Sequence, residues 1–522
     1  MRASRKKLLG FFAAALLLSG CTAEVPENDQ KDQNENTPFS YPMDTDVTLT
    51  FFTAPVQGMY DSYMDTTWYQ NVEKATGIHV EYIHPAEGEE DQHLRKLMAS
   101  KDLPDLIRYD WINYPGGPDK AISDQVILRL NSILPMYSPN VWEIFQENPE
   151  WNKHYTSDTN QYFEYPLVYT NQETAINWGP IIRRDWLEEL SLPIPVTVDD
   201  WTEMLRAFKE EKGAAAPLTF YGYPPGIMEY GFLSGAYGVT TDYYQEDGEI
   251  KYGFIEPGFK DFLYTLRSWY AEGLIDPNIA SMDRDAVRYQ MLSGESGAIL
   301  GTALQDIPYL MENRNSSSFD LVGVTYPVLE EGQKPKFGQG GLGYDDESSV
   351  AISASCRHVE EAARYMDFAY TEQGSLINTY GKEGEDYRIQ DGKAEFIFRP
   401  DILSDPYDMR VNWQFPGVKS HYWEGISEYG QFPQQEEALA SFSYTDYQLY
   451  LLPSLSFETH ESGELEAISS KIQEYTNEMY LKFMFGDIPV EQFDDYVDTV
   501  KNMGIERVIA AKEEALQRYR ER

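Results

Sequence analysis

The residues whose types and spacing could do chemistry are few, and most lead away from catalysis. Gly338-Gln339-Gly340-Gly341-Leu342-Gly343 is formally GxGxxG, a string that seats a dinucleotide pyrophosphate when it joins a buried strand to a helix N-terminus. Here Tyr344, Asp345, Asp346 and Glu347 follow, placing carboxylates where anion-binding amides should open, and Lys334 to Phe337 is no buried strand. The string reads as a flexible glycine-rich connection. Of 7 His, the nearest to a cluster are His79, His84 and His93, but the first two have opposite parity on a strand and should not share a face. A converging metal site is not expected, and no D-x-[DN]-x-[DN]-G calcium loop is present. Cys356 sits in the apolar-rich stretch Val350 to Ser355 and reads as a small, partly buried thiol rather than a nucleophile. The P-loop, HExxH, GxSxG and CxxC patterns are all missing from the sequence. With 86 acidic residues, carboxylate pairs at glycosidase separation arise by chance, so no pair is singled out. No catalytic residue, no metal and no cofactor is expected.

The positive signal is aromatic. The chain carries 10 Trp, 39 Tyr and 25 Phe, many in polar, Gly/Pro-rich surroundings outside the amphipathic stripes. Trp111 and Tyr114 precede Pro115-Gly116-Gly117, Tyr221 and Tyr223 precede Pro224-Pro225, Trp178 adjoins Gly179-Pro180, and Trp413 and Trp423 share an irregular region. Rings in loops beside Asp, Asn and Arg suit sugars, whose C–H faces stack on aromatics while their hydroxyls need hydrogen-bond partners.

These residues must be positioned by a large exported protein. Arg2, Arg5, Lys6 and Lys7, the apolar run Leu8 to Leu18, and the small pair Ser19-Gly20 before Cys21 form a secretory signal. That run is shorter than the roughly twenty residues that cross a bilayer. Leu18-Ser19-Gly20-Cys21 resembles the bacterial lipobox, which makes Cys21 an acylated N-terminus at the outer face of the membrane. Only 2 Cys are present, so Cys356 then lacks a disulfide partner. The stretch Thr22 to Pro38 has almost nothing to bury and reads as a tether. At 522 residues two or three domains are expected. A formal charge of −44 repels phosphate backbones and anionic headgroups, excluding nucleic-acid binding and electrostatic membrane docking.

Strand Val47 to Phe52, helix Trp68 to Ala75 stopped by Gly77, and strand Ile78 to Ile83 suggest a βαβ unit, followed by a helix over about Asp91 to Ser100 and a short buried strand at Asp105 to Ile107. Thr197 caps a helix whose Trp201, Met204, Leu205 and Phe208 line one face, and Phe259, Phe262, Leu263, Leu266 and Tyr270 form a second such stripe. A further helix spans Val359 to Tyr370. The C-terminus from Ile468 reads as helical with a break at Gly486 to Pro489.

Four ordered segments carry a resemblance: Leu94 to Asp105 (LRKLMASKDLPD), Arg183-Arg184-Asp185-Trp186-Leu187 with Pro195 and Thr197, Tyr270 to Pro277 (YAEGLIDP), and Thr371 to Gly374 with Gly381 to Gly384. In that order they resemble the extracellular solute-binding proteins of bacterial ABC importers, specifically the LplA-like lipoprotein branch associated with oligosaccharide uptake. The resemblance implies an α/β, two-lobe periplasmic-binding-protein-like (type II) fold, with a hinge and an interlobe ligand cleft that closes on binding. Crossings are expected near Tyr165 to Asn177 and Phe337 to Asp345. The expected organisation is signal peptide 1–20, tether 21–45, lobe 1 over 46–170, lobe 2 over 171–336, a hinge crossing and lobe 1 return over 337–385, and lobe 2 completed over 386–522. Trp111, Trp178, Tyr223, Trp413 and Trp423 are the candidate stacking rings, and Asp110, Arg184, Asp345 and Glu383 the candidate hydrogen-bonding groups. The resemblance implies an oligosaccharide ligand, membrane permease subunits as partners, and a monomer without enzymatic activity. A surface carbohydrate-active enzyme and a peptide- or signal-binding lipoprotein on the same fold are the alternatives.

Overall fold

The structure, a computed structural model, describes residues 39–54, 62–86, 88–169, 176–222, 231–339, 344–390, 393–397, 415, 417–418, 432–457 and 462–522. Cys21, Tyr223, Trp413 and Trp423 lie outside these residues. The chain divides into two compact units, Met1–Tyr41 and Pro42–Arg522, and the second carries the fold.

Its strands are, in chain order, β1 (Thr48–Phe52), β2 (His79–Ile83), β3 (Leu106–Arg108), β4 (Tyr165–Val168), β5 (Trp178–Arg183), β6 (Leu218–Phe220), β7 (Tyr243–Glu246), β8 (Glu249–Tyr252), β9 (Ala298–Thr302), β10 (Leu321–Gly323), β11 (Tyr344–Ile352), β12 (Tyr387–Gln390), β13 (Lys393–Phe396) and β14 (Gly417–Val418). Two mixed sheets organise the two lobes, one in the order β14-β4-β11-β3-β1-β2 and one in the order β10-β5-β9-β6; β7-β8 and β12-β13 are separate hairpins.

In the first lobe β1 runs parallel to β2 and β3, as a βαβ crossover requires. The connecting helix, Thr67–Thr76, is capped by the Thr66 hydroxyl accepting from Tyr69 N–H, and Gly77 ends it at φ 74°, where a side chain would be strained. Asp105 accepts from Thr50 N and Oγ1, each at 2.9 Å, and so staples the entrance of β3 to β1. Leu49, Phe51, Phe52 and Ile107 are buried in this lobe, each worth about 1.5–3 kcal/mol of burial.

The second lobe follows the expected apolar stripes. Helix Val198–Glu211 carries a capping box between Thr197 and Asp200 and buries Trp201, Met204, Leu205 and Phe208. Helix Pro257–Ala271 buries Phe259, Phe262, Leu263, Leu266 and also Trp269. Helices Ser462–Phe485, Phe493–Met503 and Ile505–Glu521 complete this lobe's core. The expected break at Gly486 is present, and Gly504 makes a second.

The chain passes from β4 to β5, returns from β10 to β11, and reaches the first sheet again at β14, which pairs parallel with β4. Phe415 packs there against Trp68, 4.7 Å between ring centroids. Helix Pro433–Phe442 then packs on β10 in the second lobe. Residues 417–418 thus pair in the first sheet, and the chain reaches the second lobe again after them. Two paired residues in β14 carry too little periodicity to be read from sequence.

Candidate functional site

The candidate site lies where the strands of the two sheets meet the crossing segments. In the second lobe β6 and β9 are parallel while β5 opposes them. Trp178 at the start of β5 therefore pairs with Thr302 at the end of β9, and Tyr221 directly follows β6 at the same edge. Ligands of open α/β sheets sit outside such carboxyl ends. The rings of Trp178 and Tyr221 are 5.0 Å apart, and both are only partly buried.

This edge is fixed by a polar network. Asp306 accepts from Thr302 N at 2.8 Å, Thr302 Oγ1 at 2.9 Å and Tyr221 Oη at 3.0 Å, and pairs with Arg288 Nε at 2.9 Å. Arg284 Nε donates to Tyr221 Oη at 2.8 Å, and its Nη1 to Gln305 Oε1. Burial, then the Asp306 charge, raise the Tyr221 hydroxyl above its ordinary range, so it stays a neutral donor. The backbone of Trp178 is held from the crossing segment: Gln339 Oε1 accepts from the N–H groups of Asn177 and Trp178, both at 2.6 Å. Tyr326 Oη donates to Trp178 O at 2.7 Å and accepts from Gln339 N at 3.0 Å.

The matching edge of the first lobe is the end of β3. Arg108 Nη2 donates to Ser348 Oγ at 2.9 Å, and Tyr109 N–H to Ser349 O at 3.2 Å. Asp110 closes the next turn by accepting from Asn113 N at 3.1 Å and Nδ2 at 2.7 Å. Opposite, β11 loses register with β4 between Asp345 and Val350. In that bulge His154 Nε2 lies 2.8 Å from Asp346 Oδ1, and the Ser454 hydroxyl donates to Asp346 Oδ2. Glu164 is 1% exposed, and neither carboxyl oxygen makes a hydrogen bond of good geometry. Burial, with Asp346 and Asp110 nearby, pushes its pKa well above the usual carboxylate range, and only the adjacent Ser349 hydroxyl opposes this. Burial thus favours the protonated form of Glu164. Both edges border the crossings: Val168 at the end of β4 pairs with Tyr344, and Gln339 binds the start of β5.

The nine ligand candidates separate cleanly by placement. Trp178 and Asp110 stand on the two edges just described. Asp345 contributes its backbone to the start of β11. Trp111 is fully buried beneath the first edge, its Nε1 donating to Ile107 O at 3.3 Å, so its ring offers no face to solvent. Arg184 stands beyond the other end of β5, about 20 Å from Trp178 at strand rise, paired with Asp320 and Glu437. In the same segment Arg183 forks onto Asp185 at 2.6 and 2.7 Å and lies over the rings of Trp186 and Phe319; this motif packs a helix start. Glu383 is exposed in the turn before β12. Tyr223, Trp413 and Trp423 lie outside the described residues.

Sequence reading missed Arg284, Arg288, Gln305 and Asp306. The one available signal was two arginines a turn apart, Arg284 and Arg288, on the otherwise amphipathic helix Arg284–Ser293. Their partners lie far off in sequence. The histidines do not converge: His79 bonds Glu73 and Tyr69, while His84 lies against Ser62 and Tyr63. Among the described residues no three His, Cys, Asp or Glu side chains could together hold a metal ion. Cys356 is free and buried; burial and the Asp105 charge push its thiol up to about 12, which disfavours the nucleophilic thiolate. Among the described residues no helix is long and apolar enough to cross a membrane.

Known proteins share this fold. The chain is 22% identical to the fructooligosaccharide ABC transporter substrate-binding protein FusA of Streptococcus pneumoniae, over 98% of this chain and 99% of that one. It is 22% identical to the lipoprotein LipO of Bacillus subtilis, over 96% of both. The crystal structure of the alginate-binding protein AlgQ2 without calcium ion superposes with a TM-score of 0.75 at 20% identity, covering 92% of this chain and 99% of that one. The profile of the bacterial extracellular solute-binding proteins matches residues 38–375. The chain belongs to the bacterial extracellular solute-binding protein family.

Proposed function

We propose that this protein is the substrate-binding component of an ABC importer. It captures an oligosaccharide between its two lobes and delivers it uncut to membrane permease subunits. The observation that carries the reading is the Trp178–Tyr221 ring pair, partly exposed and held by Gln339 and Tyr326 where the chain crosses between lobes. Rings of this kind stack on sugar faces, with Gln305 and Arg284 beside them and Asp110 on the first lobe's edge as the proposed hydroxyl partners. Relatives named for fructooligosaccharide and alginate binding support the ligand class. The lipoprotein relative and the Cys21 lipobox support an acyl anchor on the outer face of the cell membrane. Ligand contacts from Asp345, and from Tyr223, Trp413 and Trp423, remain part of the proposal; Trp111, Arg184 and Glu383 do not. Calorimetric titration with neutral and acidic oligosaccharides and with peptides tests it. Micromolar or tighter binding of a glycan, recovered intact after long incubation, is expected. Binding of peptides alone, or recovery of cleaved glycan, would refute it.

A further inference from the structure

Among the described residues, the network at the second lobe's edge does not balance its charges. Arg284 and Arg288, one helical turn apart, share one carboxylate, Asp306. Asp306 is buried, and its Oδ2 is filled by Thr302 and Tyr221. Its Oδ1 lies 2.9 Å from Arg288 Nε but 3.7 Å from Arg284 Nε, so Arg288 takes the hydrogen bond and the ion pair. The hydrogen-bond partners of Arg284 are neutral, the Tyr221 hydroxyl and the Gln305 amide oxygen. A guanidinium carries five N–H donors, and among the described residues Nη2 of Arg284 makes no hydrogen bond. Its side chain is 27% exposed. The acids beside it on the helix, Asp283 and Asp285, point to solvent, and Asp283 is engaged in capping Ala286 N at 2.8 Å.

A largely buried guanidinium whose one carboxylate among the described residues, Asp306 at 3.7 Å, is already hydrogen-bonded to Arg288 is undercompensated, and a ligand carboxylate would complete it. The planar fork of Arg matches a carboxylate bidentately. Here it lies over the Tyr221 ring, 4.8 Å from its centroid, beside the Trp178 ring on which a sugar would rest. We infer that Arg284 reads a carboxylate on the saccharide, so that the ligand is a uronate-bearing oligosaccharide. This rests on the oligosaccharide reading above and narrows it. With 86 acidic against 42 basic residues, the chain's acidity disfavours non-specific capture of an anionic ligand.

The test is calorimetric titration of the intact protein, R284Q and R284K with tetrasaccharides of galacturonate, mannuronate and glucuronate, each paired with its carboxyl-reduced neutral counterpart. At least one uronate should bind about tenfold or more tighter than its neutral counterpart, as a charge-assisted hydrogen bond supplies. In R284Q that ratio should collapse towards unity, and in R284K it should be partly kept. If R284Q weakens both members of the pair equally, Arg284 only props Tyr221 and the inference is overturned. It is equally overturned if the native protein prefers the neutral member of every pair; oligosaccharide capture would survive that result. A folded protein that binds no glycan at all would remove both readings.

Discussion

Trp178 and Trp111 show what a single residue reveals about its role. Both stand beside Gly and Pro in polar sequence, and both read as loop rings. Trp178 is held at a strand edge with its ring partly exposed, whereas the turn closed by Asp110 folds Trp111 inward, onto the Ile107 carbonyl. The direction of that turn depends on Arg108 and Ser348, two residues brought together by β3–β11 pairing, and no local pattern encodes it. Trp178→Ala should therefore weaken glycan binding by about 1–3 kcal/mol, measured by calorimetry, with the melting temperature little changed. Glu164 gives a second prediction at this scale. Because burial raises its pKa above the unfolded value of 4.5, unfolding releases a proton once the pH exceeds that value. The stability associated with the protonated form is present in full below it and is lost as pH climbs towards the folded pKa. Glu164→Gln keeps the shape without the ionisation, so its melting temperature should fall less steeply with rising pH than that of the native protein. Parallel curves would show that Glu164 is already charged in the fold.

Elements with a strong local signature were legible. The helix Val198–Glu211 could be read from its cap and its apolar stripe because both lie within fourteen residues. The bulge in β11 and the two-residue β14 could not, since each exists only through its neighbours. The glycine-rich crossing falls between these cases. It was read as a flexible connection, yet its first part is tightly packed: Phe337 is fully buried, and a Cβ on Gly338 would lie 2.6 Å from Thr445 Cγ2 and 2.8 Å from Tyr326 Cε2. Gly338 is thus required by close approach, and its neighbour Tyr326 holds the Trp178 carbonyl. Gly338→Ala should cost about 1–3 kcal/mol of stability through overpacking, read by denaturant titration, and should weaken glycan binding as Tyr326 shifts. Native stability in that variant would show that the packing at Gly338 yields to an added methyl.

At the scale of the whole molecule the order of family segments gave the two-lobe fold, because each segment marks a structural joint. Asp105 ties β3 to β1, the Arg183–Asp185 pair starts a helix, and Asp276 accepts from Asn278 N and Gln290 Nε2 at the end of another. Joints of this kind specify the scaffold and say nothing of the polar edge around Tyr221, which is why Arg284 and Gln305 were not visible. The N-terminal reading makes its own prediction: Cys21→Ala should move the protein from the membrane fraction to the medium, and continued membrane association would contradict an acyl anchor. The central claim is that an oligosaccharide is held between the lobes against Trp178. The most direct measurement is a crystal structure of the protein with the tightest-binding glycan from the titrations. The account predicts a sugar ring stacked on Trp178, bordered by Tyr221 and Arg284 from one lobe and Asp110 from the other; a saccharide bound away from both strand edges would contradict it.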